Sequence, residues 1–207
     1  MEPNANPPTE PPRPERALYA GYAVEGGLGV LAVGIAWAAG IPLADELGFS
    51  LAAVGWGLLA TLPMLLALLV LTHVSWAPIA RIREIVRLFA RQLLIGASWL
   101  EIATLCALAG IGEELLFRGV IQTLIADRTN VALGVLWSGV LFGAVHFLTT
   151  TYFVLAVCVG WYFGWLYVAT ESLTAPIVAH AAYDFVALVV VIRGGKGNSP
   201  SDASQGE

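Results

Sequence analysis

Six apolar stretches, at approximately 18–40, 51–72, 98–125, 131–148, 152–170 and 173–193, dominate this chain. Each approaches the roughly 17–25 residues that a helix needs to cross a bilayer. A chain built this way is expected to fold as an all-α, multi-pass transmembrane bundle, because lipid offers the backbone no hydrogen-bond partners. Composition agrees: 58% of residues are hydrophobic and 12% charged, about half the charged share usual in soluble domains. The first 17 residues hold six prolines and read as a disordered tail. Residues 18–193 read as the membrane domain and 194–207 as a flexible polar tail. The first apolar run starts too late and is too long for a typical secretory signal.

Basic residues set the expected orientation. Arg81, Arg83, Arg87 and Arg91 fall between the second and third runs, whereas the loop after the first run carries Asp45 and Glu46. With about six spans, both termini and the arginine segment share one side, cytoplasmic by the positive-inside rule, and a bacterial plasma membrane is the expected location. Arg128 dissents from this arrangement. Ile82, Ile85, Val86, Phe89 and Leu93 recur at helical spacing among the arginines, so this segment predicts an amphipathic helix lying in the interface against anionic headgroups. Cys106 and Cys158 fall within apolar runs and read as small core residues. No phosphate loop, dinucleotide fingerprint or nucleic-acid-binding stripe is present, so nucleic acid is not an expected partner. No internal repeat of the transporter kind emerges.

Charge at bilayer depth is costly and marks function by default. In "GEELLFRG", Glu114 and Arg118 stand four apart on one helical face, which predicts an ion pair. Glu113 is rotated by roughly 100° and faces elsewhere, leaving one structural and one chemically free carboxylate. His146 follows Phe142 by one turn, and His180 and Asp184 again stand four apart. Packed together, these groups would form a polar pocket able to activate water by general base catalysis or to hold a hydrolytic zinc. Glu25 reads as interfacial or cavity-lining, Glu101 as paired with Arg91 or facing the cytoplasm, and His73 as interfacial. Two other classes fit a buried polar cluster. One is a scaffold or immunity-type membrane protein that binds a peptide without cutting it. The other is a proton-coupled transporter with Glu25, Glu101 and Glu113 as relay.

The motifs "EELLFR", "FGAVH" and "HAAYD" fit EExxxR, FxxxH and HxxxN/D. In order and spacing, over roughly 97–190, they resemble the CPBP family of intramembrane proteases, also called CAAX-protease, bacteriocin-processing or Abi proteins. The resemblance implies a helical membrane endopeptidase acting on a peptide or prenylated protein, some members removing the C-terminal tripeptide after a prenylated cysteine. It implies Glu113 as the water-activating carboxylate and His146 as its partner. His180 and residue 184 would stabilise the oxyanion, with Glu114, Arg118 and Phe142 in support. Two mechanisms stay open: a metal-free one, and one with Zn2+ held by Glu113, His146, His180 and Asp184. The chain departs from the prenyl-protease pattern in having Asp184 where those members have Asn, and in having fewer spans.

Overall fold

A computed structural model of the chain describes residues 14–94 and 96–194. The tails read from sequence lie mostly outside these residues. Helix α1 (Pro14–Ala39) nevertheless begins within the proline-rich stretch, since proline's missing N–H and fixed φ suit a first helical turn. A short α2 (Leu43–Glu46) follows, then α3 (Leu51–His73), α4 (Ala77–Leu94) and α5 (Trp99–Glu114). A π-helical segment, Leu115–Gln122, joins α5 to α6 (Thr123–Arg128) without a break. Then come α7 (Val131–Val145), α8 (Thr150–Thr170) and α9 (Thr174–Gly194).

The termini follow from side-chain chemistry. Ser50, Ser98, Asn130 and Thr149 each accept the N–H three residues on, satisfying a donor that the helix cannot. Ser98 and Glu101 complete a capping box, the Glu101 carboxylate accepting from both the N–H and the hydroxyl of Ser98 at 2.8 Å. Glycine ends α1 at Gly40, whose φ of 74° L side chains rarely adopt.

Among the described residues, four helices are long and apolar enough to cross a bilayer: Arg16–Ala39, Leu51–His73, Thr150–Thr170 and Thr174–Val191. Counting α4 with Trp99–Arg128 as one bent span brings the number to five. The expected six are thus approximate, for two physical reasons. The third apolar run carries Glu113, Glu114 and Arg118 in its middle. The fourth forms a helix of 15 residues, which at 1.5 Å per residue is shorter than the roughly 30 Å hydrocarbon layer. The outer surface is hydrocarbon: Leu58, Leu59, Leu62, Leu66, Leu69 and Val70 on α3 are all exposed. Leucines presented in such rows belong in lipid, and the chain is an integral membrane protein.

α4 is amphipathic as the arginine segment predicted. Ile79, Ile82, Ala90 and Leu94 are buried while Arg81, Leu88, Phe89 and Arg91 are exposed. Arg83 turns back to cap α3, its Nη1 donating to the carbonyls of Leu71 and Val74 at 2.7 Å. The opposite end of the bundle is closed by a polar clasp. Ser172 Oγ lies 2.9 Å from the Leu47 carbonyl and 3.0 Å from that of Gly48, and the Thr174 hydroxyl donates to Leu47 at 2.7 Å. Tyr167 donates to Glu46 in the same cluster.

α1 and α5 run parallel. The Tyr22 hydroxyl donates to the Glu101 carbonyl at 2.9 Å, and further along Gly112 faces the backbone of Glu25. A Cβ on Gly112 would collide with the Glu25 carbonyl oxygen, so only glycine permits this approach. On the other side of α5, a Cβ on Gly110 would come within 2.9 Å of the Ile177 carbonyl of α9. α5 is therefore wedged between α1 and α9 immediately before its two glutamates.

Candidate active site

Three elements present the charged groups. The α5–π junction carries Glu113, Glu114 and Arg118, the end of α7 carries Phe142 and His146, and α9 carries His180 and Asp184. The π segment widens the helix through Arg118, a feature frequent at functional sites.

Glu114 and Arg118 are both fully buried and joined, Arg118 Nη1 to Glu114 Oε1 at 3.0 Å. Arg118 Nη2 also donates to the Gly160 carbonyl of α8 at 2.9 Å. Its guanidinium carbon lies 4.6 Å from the Phe142 ring centroid and 5.4 Å from that of Phe163, so cation–π attraction adds to the ion pair. His180 joins the same carboxylate, Nδ1 donating to Glu114 Oε1 at 2.7 Å. Its Nε2 lies 3.4 Å from Asp184 Oδ2. Both ring nitrogens of His180 thus face carboxylate oxygens, which only N–H groups can satisfy.

Glu113 points away from this pair. Its Oε2 lies 3.6 Å from His146 Nε2 and has no hydrogen-bond partner. That separation exceeds an ordinary hydrogen bond. His146 Nδ1 is 2.8 Å from the Phe142 carbonyl, which can only accept, so Nδ1 carries the proton. In the neutral ring, Nε2 then turns a lone pair toward Glu113. Two acceptors face each other across a gap that a water molecule, donating to both, would bridge. Side-chain exposure is 10% for Glu113, 30% for His146 and 34% for Asp184, so the cluster opens outward at His146 and Asp184 while Glu114 and Arg118 are sealed.

The aromatic rings hold this geometry. Phe142 stacks on His146 with centroids 4.4 Å apart, and Phe163 stacks on His180 at 5.0 Å. Phe163 is wholly buried, yet it sits in a uniformly aromatic and aliphatic run that gives no sequence cue. The Glu114–His180 contact joins two elements 66 positions apart and likewise leaves no local signature. Gln122, buried and donating to the Gly164 carbonyl at 3.2 Å, extends the polar seam along the π segment.

Among the described residues, no group of three or more His, Cys, Asp or Glu is arranged to hold one metal. His180 Nδ1 is bonded to Glu114 at 2.7 Å, while its Nε2 and Asp184 Oδ2 stand 3.4 Å apart. Glu25 lines a groove between α1 and α5. Glu101 closes its helix cap, twelve residues and thus roughly 18 Å along the helix from Glu113, too far for a direct relay. His73 is exposed at the end of α3, bonded to Thr72 and the Leu69 carbonyl.

A family model described as Rce1-like, type II CAAX prenyl endopeptidase, matches residues 95–186. No curated protein and no solved structure matches the chain. The matched stretch contains Glu113, His146, His180 and Asp184 together with their buried support, and over residues 95–186 this chain is similar to the Rce1-like type II CAAX prenyl endopeptidases.

Proposed function

We propose that this protein is an intramembrane endopeptidase that hydrolyses a peptide bond near the C-terminus or membrane-facing segment of a lipid-associated protein, with Glu113 and His146 activating water and no metal required. The observation that carries the reading is the unpartnered Glu113 Oε2 opposite His146 Nε2 at 3.6 Å. A water between them would give one proton to this pair while its oxygen attacks the scissile carbonyl. The same proton then passes to the departing amine, so each turnover consumes one water and leaves the side chains unchanged. The fixed Nδ1–H of His146 keeps its Nε2 available for that transfer.

His180 supplies the complementary charge. Its contact with Asp184 is long, at 3.4 Å, which leaves Nε2–H free to donate to the developing oxyanion. Asp184 in this reading orients His180, which removes the difficulty of an ionised carboxylate standing where an asparagine would donate. The fully buried Glu114–Arg118 pair fixes the imidazole from its other edge. Prenylated CAAX-type substrates are the class that the family favours. We further infer that the termini and α4 face the cytoplasm, so that the opening at His146 and Asp184 meets substrate from that side.

The test is cleavage of farnesylated and unmodified C-terminal peptides by the purified full chain in nanodiscs. Glu113→Gln, isosteric but unable to accept the proton, is expected to lower kcat by about 10²–10⁴-fold, with thermal stability retained and with rates indifferent to chelators. Unchanged turnover in this variant overturns the reading, and loss of wild-type activity on chelation overturns its metal-free form.

A further inference from the structure

The groove between α1 and α5 carries a charged group that the hydrolysis above does not use. It measures about 360 Å³ and is lined by residues including Glu25, Val30, Leu108 and Ile111. α1 lies outside residues 95–186, so the family-matched segment supplies only one wall. The other lining side chains are hydrocarbon or glycine, and Glu25 is the single charged residue among them. One of its oxygens, Oε2, is sealed from solvent and has no hydrogen-bond partner. A buried carboxylate oxygen without a donor is costly, and its retention points to a donor that arrives with a ligand. Glu25 also lies within electrostatic reach of His180, Asp184 and Glu113. It therefore stands beside the catalytic cluster, and the α5 wall of the groove includes Gly112, next in sequence to Glu113, and continues to Leu115.

We propose that this groove is a substrate subsite for a basic side chain. A lysine or arginine of the membrane-embedded peptide lays its methylene stem along Val30, Leu108 and Ile111 and sets its cationic head on the Glu25 carboxylate. The chemistry selects this occupant. Lys and Arg alone combine a long apolar stem with a terminal cation, the complement of an apolar channel holding one carboxylate. A purely hydrocarbon chain leaves Glu25 unpaired, and an acidic side chain meets repulsion from both Glu25 and Glu113. The subsite rests on the peptidase reading and adds to it the residue type held beside the scissile bond.

The experiment measures binding without turnover. Full-length Glu113→Gln protein in nanodiscs is titrated with a fluorescent apolar peptide carrying one lysine, and with the same peptide carrying norleucine there. The lysine peptide is expected to bind about 10-fold more tightly, as a charge-assisted hydrogen bond in a poorly solvated site allows. Adding Glu25→Gln is expected to abolish that preference, and Glu25→Lys to transfer it to a glutamate-bearing peptide. Thermal melts of each variant establish that it is folded. Equal binding of the two peptides to the parent, or a lysine preference that survives Glu25→Gln, overturns the subsite. So does an equal loss of both peptides in Glu25→Gln, which would assign Glu25 to holding α1 in place. A protein that shows the lysine preference yet cleaves no peptide as wild type would instead sink the peptidase reading.

Discussion

Arg118→Met is the substitution whose consequence the structure defines most closely. The side chain is fully buried and donates to Glu114 at 3.0 Å and to the Gly160 carbonyl at 2.9 Å, with the Phe142 ring 4.6 Å from its charge. Methionine roughly fills the volume, so little cavity results and the loss is electrostatic. Removing one member of a buried ion pair costs about 3–5 kcal/mol, most of it the penalty of stranding the other charge. Here His180 still donates to Glu114 Oε1 at 2.7 Å, which places the expectation at the lower end, about 3 kcal/mol. Glu114→Gln in the same chain removes the stranded charge while keeping an acceptor for His180. The double variant is therefore expected to recover about 1–2 kcal/mol of the loss, a coupling of the size found between residues in one network. Equilibrium unfolding of the four proteins in mixed micelles gives the cycle. A coupling indistinguishable from zero, or a loss under about 1 kcal/mol for Arg118→Met, would show that the pair is not a buried, mutually dependent unit.

Three further outcomes follow from individual contacts. Gly112→Ala puts a Cβ on the Glu25 carbonyl, whereas Gly29→Ala meets the Gly112 Cα at an ordinary 3.7 Å; thermal melts should show a loss of about 1–3 kcal/mol for the first and almost none for the second. Asp184→Asn removes a charge from the open edge of the cluster and offers an N–H to the oxyanion; peptide cleavage should fall by less than about 10-fold, against the much larger loss for Glu113→Gln. Ser172→Ala deletes a hydroxyl 2.9 Å from the Leu47 carbonyl, which Thr174 also satisfies; stability should drop by about 1 kcal/mol with kcat unchanged, read by melts and turnover together.

The helices and their ends were legible because each rests on local rules. Apolar length marked where the helices run, though four, or five with the bent pair, are long enough to span among the described residues; the side-chain caps at Ser50, Ser98, Asn130 and Thr149 set their starts by the same local chemistry. The i, i+4 spacing brought Glu114 to Arg118 and His180 to Asp184. Contacts across the bundle had no such rule. Nothing near Glu114 in sequence indicates that its oxygen serves His180 as well as Arg118. Phe163 lies in the run "WYFGW", where every residue looks equally suited to lipid. The π segment was equally hidden, since widening a helix by one residue per turn leaves composition and periodicity almost unchanged.

That widening bears on why two adjacent glutamates end in different environments. On a helix, neighbouring side chains diverge by roughly 100°, so Glu113 and Glu114 cannot share partners. Glu114 is committed inward by Arg118, and Arg118 is carried by the π segment toward the Gly160 carbonyl and the faces of Phe142 and Phe163. Once Glu114 is fixed, Glu113 falls on the side of α5 that meets His146 at the end of α7 and α1 near Glu25. The pair that satisfies its own charge inside the bundle is thus what leaves the neighbouring carboxylate without a hydrogen-bond partner at its Oε2. Exchanging the order of roles would require Arg118 to reach the opposite face of its own helix, which one guanidinium bonded to both Glu114 and Gly160 cannot do.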